Sequence, residues 1–575
     1  MNGDHYLYET VLHQAKDANA ALIARGFADY ANSLGAEIFA GKGFQVGGLR
    51  FVPVSVDPQH IDDLAEFAFL RVARPMPHLR EVSLISRSMP MIGVAGCRLP
   101  DVIDTTGVPR VAVFDGGLAD DSVLAPYVKS IDPLGIGEPQ PELLSHGFDV
   151  TSSVLFGPLT PGKPIPAPGF GVDHYRVLDA ESHNDPFELY DVLGRIRSVL
   201  EKEKPKYVNL SLGPALPTED TDVHSWTAVL DDYVSRTGAL ITVAGGNTGD
   251  QQWPESRIQV PGDSVNMLCV GAADSRRAGW NAAEYSSRGP GRRPGVRKPD
   301  VLAFGGVATE PFIVVNSEDP TGVAATVGTS FAAPAVLNTA ARLRAKFGPE
   351  LGPLAAKALI VHSSEPGAQL DDSGWGRASD DLDYISVCTD GMVRVLYQGF
   401  LEPTKSLRAR IPLPPVGQLQ GMVTISATMC YVTETDPQDP SNYSRAGLDI
   451  RFRPHSGNYK SPDQRHPDTD SFFRNNDFQT ESDLRESAYK WETVLHRVKK
   501  GKRASSLVDP CFDIHYVPRT GGGSAKQARR IPYAMVITVE SKSTPDLYEK
   551  VVRTHQVLTE IQPVSQIGLQ ISQEG

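Results

Sequence analysis

The chain lacks most of the features that would place it outside the ordinary globular enzymes. No apolar run approaches the ~20 residues of a membrane-spanning helix, so no transmembrane segment is expected. Cysteine is scarce: Cys97, Cys269, Cys388, Cys430 and Cys511 are scattered, odd in number and never paired as CxxC. That excludes a disulfide framework or a zinc site and fits reduced thiols in a cytoplasmic protein. There is no basic excess, for 56 Lys and Arg face 69 Asp and Glu, leaving a net charge of −13. A nucleic-acid-binding body would normally be basic. The opening "MNGDHYLYETVLHQAKDANA" lacks the basic start, apolar core and small-residue cleavage site of a secretory leader, which again predicts a cytoplasmic protein.

What is present is ordinary in bulk and informative in order. With 40% hydrophobic and 22% charged residues over 575 positions, the chain has a soluble protein's composition and room for about two to four domains. Residues 1 to 48 read as helical. After them "GGLRFVPVSVD" alternates as a strand, "PQHIDDLAEFAFLRVA" repeats as an amphipathic helix and "REVSLIS" reads as another strand. Residues 1–100 are therefore expected to be an N-terminal α+β module. From 101 to 388 strand and helix alternate, as in "RVAVFD", "PFELYDVLGRIRSVLEKEK", "YVNLSLG" and "GALITVAGGN". That pattern predicts an α/β, doubly wound and mostly parallel sheet with helices on both faces. In the helix, Leu189, Val192, Leu193, Ile196, Val199 and Leu200 share one face. Residues 389–575 are β-rich with Pro/Gly turns and predict a β-sandwich; "ESDLRESAYKWETVLHRVKK" is a helix-like insert within it.

Three segments of the central region meet the needs of acyl transfer. Asp115 closes the strand "VAVFD" before Gly116-Gly117; His146 begins "HGFDVTSSVLFG"; Ser330 follows Gly328-Thr329 at the head of "FAAPAVLNTAARLRAKF". A serine hydroxyl needs a histidine to take its proton, and the histidine needs a carboxylate to fix its tautomer. Pro334 falls in or near the first turn of the serine's helix, where a missing N–H costs little. The order Asp, His, Ser is that of one of the three unrelated solutions to this problem.

With these residues in place the chain resembles the subtilisin-like serine proteases, the subtilases. "VAVFDGGL" looks like the family's Asp strand, "SHGFDVTSSV" like its His helix and "GTSFAAPAV" like its Ser signature, with "YVNLSLG", "TVAGGN", "YSSRGP" and "RKPDVLAFGG" in the right order. The resemblance implies Ser330 as nucleophile, His146 as general base and acid, Asp115 as the orienting carboxylate and Asn247 as oxyanion donor beside the Ser330 N–H. It implies a substrate cleft between Ser211, Leu212 and Gly213 on one side and Ala244, Gly245 and Gly246 on the other. No cofactor is implied for the chemistry; many subtilases bind structural calcium, but no clustered carboxylate loop marks such a site, and no metal-ligating residue is assigned. The implied partner is a protein or peptide substrate. Intracellular subtilases with long flanking domains sometimes act beside a regulatory ATPase in bacterial defence.

The chain departs from the family pattern at Gly116, where Ser or Thr is usual, at Phe148 for a usual Thr, at Asp149 for a second His, and at Phe304 for a Pro. Hydrogen bonds that tune the triad are thus expected to be missing. The N-terminal module resembles an inhibitory propeptide, and "MPMIGVAGCRLPD" is long enough to pair with the "LSLG" edge as an added strand. The alternative is a fixed docking domain. Two other readings of the whole remain: a catalytically silent, peptide-binding scaffold, and an adhesin built on the sandwich. "TGGGSAK" (520–526) lacks the ending of a phosphate loop and reads as a hairpin, "HRVKKGKR" (496–503) as a solvated face, and His174 and His183 as packing or surface residues.

Overall fold

The computed structural model describes residues 5–14, 19–80, 89–90, 97–101, 108–182, 184–293, 295–319, 321–367, 370–473, 489–520 and 523–559. The expected strand over "REVSLIS", most of the 91–101 segment, His183, part of the 520–526 stretch and residues 474–488 of the helix-like insert lie outside these.

The N-terminal region is a five-stranded antiparallel sheet of β1 (Tyr6–His13), β2 (Glu37–Ile38), β3 (Phe44–Val46), β4 (Leu49–Val56) and β5 (Leu70–Pro75). It carries α1 (Asn19–Ser33) and α2 (Ile61–Ala65). The reading of residues 1–48 as helical holds for α1 and misses β1. Because side chains alternate along a strand, the sheet has two buried faces. Leu12, Val52, Val54 and Val56 pack with Phe27, Ala31 and Leu64 of the helices. Val11, Leu49 and Phe51 face the other way, into a core shared with the central region.

The central region is a seven-stranded sheet in the order β13-β12-β11-β10-β7-β9-β8. Its strands are β7 (Arg110–Asp115), β8 (Val128–Ile131), β9 (Gly171–Arg176), β10 (Tyr207–Leu210), β11 (Leu240–Ala244), β12 (Leu268–Ala273) and β13 (Val301–Phe304). Every pairing is parallel. The order reverses direction at β7, next to β10, and such switch points open a crevice at the strands' carboxyl ends. α3 (Pro141–Phe156) and α6 (Thr329–Phe347) cover one face, and α4 (Glu188–Glu203) and α5 (Ser225–Thr237) the other. All six apolar positions predicted for one face of α4 are buried. A small sheet pairs β14 (Phe312–Val315) with β15 (Val323–Thr326), and β15 with the short β6 (Met89–Pro90).

After α7 (Pro353–His362) come two antiparallel sheets. One is β16 (Met392–Leu401), β22 (Ile531–Glu540), β18 (Met422–Tyr431) and β20 (Val494–Arg503); the other is β17 (Ser406–Arg410), β21 (Cys511–Pro518) and β19 (Ala446–Arg453). Ile425 and Met429 from one meet Leu448 and Ile514 from the other in a common core, which makes a sandwich. Residues 494–500, expected to be helical, form an edge strand instead. Lys499, Lys500 and Lys502 of β20 stay partly or fully exposed, with Lys499 and Lys502 paired to Asp470, and charge on an edge strand discourages further pairing.

Candidate active site

Asp115 ends β7 at the switch point, and the chain turns there through Gly116 and Gly117. A Cβ on Gly116 would lie 2.1 Å from the Leu143 carbonyl oxygen, and one on Gly147 would lie 2.3 Å from the Gly117 carbonyl oxygen. The turn and α3 thus touch backbone to backbone, which explains why Gly116 stands where the family has a larger residue. That contact brings His146 onto Asp115: Nδ1 lies 2.8 Å from Oδ1, with Asp115 fully buried and His146 nearly so. The Gly116 N–H donates to the same Oδ1 at 2.8 Å. Among the described residues Asp115 Oδ2 has no hydrogen-bond partner, in line with the expectation that Gly116 leaves a tuning bond unmade.

Burial alone would push His146 down, but the charge and hydrogen bond of Asp115 outweigh it and hold the imidazole above its ordinary value. Asp149, one turn further along α3 and also buried, adds to the rise.

The start of α6 is pinned by its neighbours. Pro334 sits one turn beyond Ser330, slightly deeper than the sequence suggested, and its missing N–H leaves the Ser330 carbonyl without its helical donor. Ser211 Oγ supplies a replacement at 2.9 Å. Ser153 of α3 donates to the Phe331 carbonyl at 2.8 Å, and Asn338 of α6 donates to the Val154 and Leu155 carbonyls at 2.8 and 2.9 Å. The His146 and Phe331 rings stand 5.9 Å apart. Among the described residues no hydrogen bond joins Ser330 and His146; such contacts commonly tighten only with substrate bound.

Asn247 is exposed at the end of the segment after β11. Its Oδ1 accepts from the Thr329 N–H at 3.0 Å and from Thr329 Oγ1 at 2.8 Å. Because an N–H can only donate, these bonds identify the acceptor end of the amide. The Nδ2 end therefore lies toward Gly328, 3.6 Å from where a Cβ would stand there.

Residues of the N-terminal region reach both Gly213 and Ala244. His78–Arg80 runs antiparallel to Gly213–Ala215: the Arg80 N–H donates to the Gly213 carbonyl at 2.9 Å and the Ala215 N–H to the His78 carbonyl at 2.8 Å. Strand addition to this edge was expected from residues 89–101. Met89–Pro90 instead pair with Ala324 and Ala325 of β15, five and six residues before Ser330. Arg80 Nη1 reaches the Ala244 carbonyl at 3.4 Å, while Nε and Nη2 are buried without a hydrogen-bond partner among the described residues. Burial lowers this guanidinium to about 10, with Cys269 opposing the loss.

His174 of β9 belongs to the site, contrary to the packing role read from the sequence. It is fully buried, its Nε2 accepts from the Gly117 N–H at 3.0 Å, and its Nδ1 pairs with Thr151 Oγ1 at 2.8 Å. Burial depresses it to about 4, so the ring is neutral and holds the turn that carries Asp115. A lone histidine on a buried strand gave no signal of this.

Residues 101–376 match the family model described as the Subtilase family. No curated protein matches the chain. Among solved structures, the epidermin leader peptide processing serine protease of Staphylococcus aureus aligns at 16% identity and TM-score 0.42, covering 67% of this chain and 99% of that one. A serine-to-alanine mutant of that enzyme aligns with TM-score 0.43 at the same identity and coverage. The protease domain of PatA, also as a serine-to-alanine mutant, aligns at 21% identity and TM-score 0.35 over 50% of this chain and 95% of that one. Residues 101–376 are thus a subtilase-fold domain of the subtilisin-like serine protease type.

Proposed function

We propose that the protein is a serine endopeptidase in which Ser330 attacks the scissile carbonyl and His146 takes its proton. Asp115 fixes the His146 tautomer with Nδ1–H toward the carboxylate, leaving Nε2 for the serine. Asn247 Nδ2 and the Ser330 N–H donate to the oxyanion. The observation that carries this reading is the buried 2.8 Å contact of Asp115 with His146, beside an α6 terminus that Ser211 and Ser153 pin in place. No cofactor enters this mechanism.

A peptide substrate would pair along Ser211–Gly213 as an added strand, with one side chain between Gly213 and Ala244–Gly246. His78–Arg80 occupies that edge, which supports regulation by blockage. The resemblance alone extends the reading to an ATPase partner.

A fluorophosphonate probe tests the assignment. Covalent labelling of the wild-type protein, lost in Ser330→Ala, is expected. A wild-type protein that is folded and takes no label is a silent scaffold.

A further inference from the structure

The N-terminal sheet is gripped from two sides. Glu9 of β1 and Arg74 of β5 are cross-strand partners, joined at 2.7 Å through Nε, and Glu9 has no exposure at all. Their remaining bonds go to the central region. Tyr190 Oη donates to Glu9 Oε1 at 2.6 Å, and Arg74 Nη1 donates to Asp222 Oδ2 at 3.2 Å. Around this polar knot, Val11, Leu49 and Phe51 are buried against the central region's helices, and Phe44 stacks on Tyr190 at 5.1 Å. Departure of the sheet would expose that apolar surface and leave the Glu9–Arg74 pair without its neighbours. Breaking such a buried arrangement is strongly unfavourable.

The second grip comes from the C-terminal region. The loop 435–443 is rooted in the central region by Tyr443, fully buried, whose Oη donates to Asp231 Oδ2 at 2.9 Å. Its tip reaches the N-terminal sheet. Arg71 of β5 donates through Nη1 to the Gln438 carbonyl at 3.0 Å, through Nε to Asp222 at 3.2 Å and through Nη2 to the Thr221 carbonyl at 3.2 Å. One guanidinium thus ties all three regions. At the β3–β4 turn, a Cβ on Gly47 would lie 2.3 Å from Pro437 and one on Gly48 2.3 Å from Gln438, so the turn and the loop tip are in direct contact.

We infer that the N-terminal sheet is a permanent wall of the substrate cleft, latched to the central region by the 435–443 loop, and that it stays bound when the connecting chain is cut. Activation then comes from local withdrawal of His78–Arg80. That segment is short, and its hold is a few hydrogen bonds: two backbone bonds to Gly213–Ala215, the Leu79 N–H to Glu188 Oε1 at 2.9 Å and Arg80 Nη1 to the Ala244 carbonyl at 3.4 Å, with no carboxylate paired to the Arg80 guanidinium among the described residues. Only this consequence for activation rests on the protease reading.

The retention itself is tested in a Ser330→Ala background, so that self-cleavage plays no part and failure of the protease assignment leaves the result readable. Residues 83–88 are replaced by a recognition sequence for a site-specific protease, and the full chain is cut and run on a sizing column. The fragment up to the cut is expected to co-elute with the rest. Arg71→Ala should speed its dissociation at least tenfold. Separate elution of the unmutated fragment overturns the inference. Co-elution with a rate that Arg71→Ala leaves unchanged overturns the latch.

Discussion

In the proposed mechanism the Ser330 hydroxyl is a weak nucleophile until His146 accepts its proton, so the two should fail together. Ser330→Ala and His146→Ala are each expected to reduce peptidase turnover to background without loss of the folded state. The scale is about 10⁶, the value reported for subtilisin itself, and residual turnover in purified Ser330→Ala would refute the assignment. In its proposed oxyanion role Asn247 acts only when charge develops on the carbonyl oxygen. Asn247→Ala should lower kcat by roughly 10²–10³ with little change in KM, again the subtilisin scale. A rise in KM alone would make it a binding contact. Asp149 tests the pH dependence. His146 must be neutral to act, and its pKa is held above the ordinary value, so activity falls as pH drops through that raised value. Asp149→Asn removes one stabilising charge, lets the neutral form persist to lower pH and shifts the acid limb of kcat/KM to lower pH. An unmoved limb would show that Asp115 alone sets it.

The elements explain what the sequence made legible and what it hid. Asp115 and Ser330 stood out in the sequence because one ends a strand and the other opens a helix beside turn glycines, whereas His146, inside α3, and Asn247, beyond β11, stood out only through the resembling blocks around them. The six apolar positions of α4 were readable because helical spacing puts them on one face. The role of Pro334 was only half visible: its effect is to free the Ser330 carbonyl, and the replacement donor, Ser211, is 119 residues away. His174 was hidden for the same reason, since its partners Gly117 and Thr151 come from other elements. β1 was missed because the helical spacing of the residues following it dominated the window. Gly147 illustrates how packing overrides propensity. Glycine inside a helix ordinarily costs about 1 kcal/mol relative to alanine, so Gly147→Ala should stabilise α3. With the Gly117 carbonyl oxygen 2.3 Å from the added Cβ, the reverse is expected: a loss of about 1–3 kcal/mol in denaturant titration and a fall in activity as Asp115 and His146 separate. A stabilised, fully active variant would contradict the close approach.

Across the whole molecule, buried neutral histidines lie where the regions meet. His224 caps α5 through its Nδ1 and stands 3.7 Å from Glu9 of the N-terminal sheet. His362 of α7 lies between Thr428 and Thr538 of the sandwich at 2.8 and 2.7 Å, and His496 of β20 meets the same Thr428 at 2.7 Å. Burial pushes His224 and His496 down to about 4 and His362 well below its ordinary value, with Arg297 and Arg394 opposing a further positive charge at the sandwich. These groups take up protons more readily when unfolded, so their stability contribution is intact above about pH 6.5 and is lost as pH falls toward about 4. For a histidine depressed that far the loss is on the order of 3 kcal/mol. His146, held above its ordinary value, and Glu492, pushed up to about 7 by burial, act in the opposite sense. His174 within the central region sides with the interface histidines, while Asp231, raised by burial, joins the opposing groups, leaving four against three. The melting temperature should therefore fall steadily between pH 6.5 and 4, beginning with loosening of the N-terminal sheet and the sandwich from the central region. Hydrogen exchange during acidification should show β1 and β20 losing protection before β7, β10 and β11. Simultaneous loss in all three regions, or stability unchanged across this window, would show that the interface histidines do not control how the parts hold together.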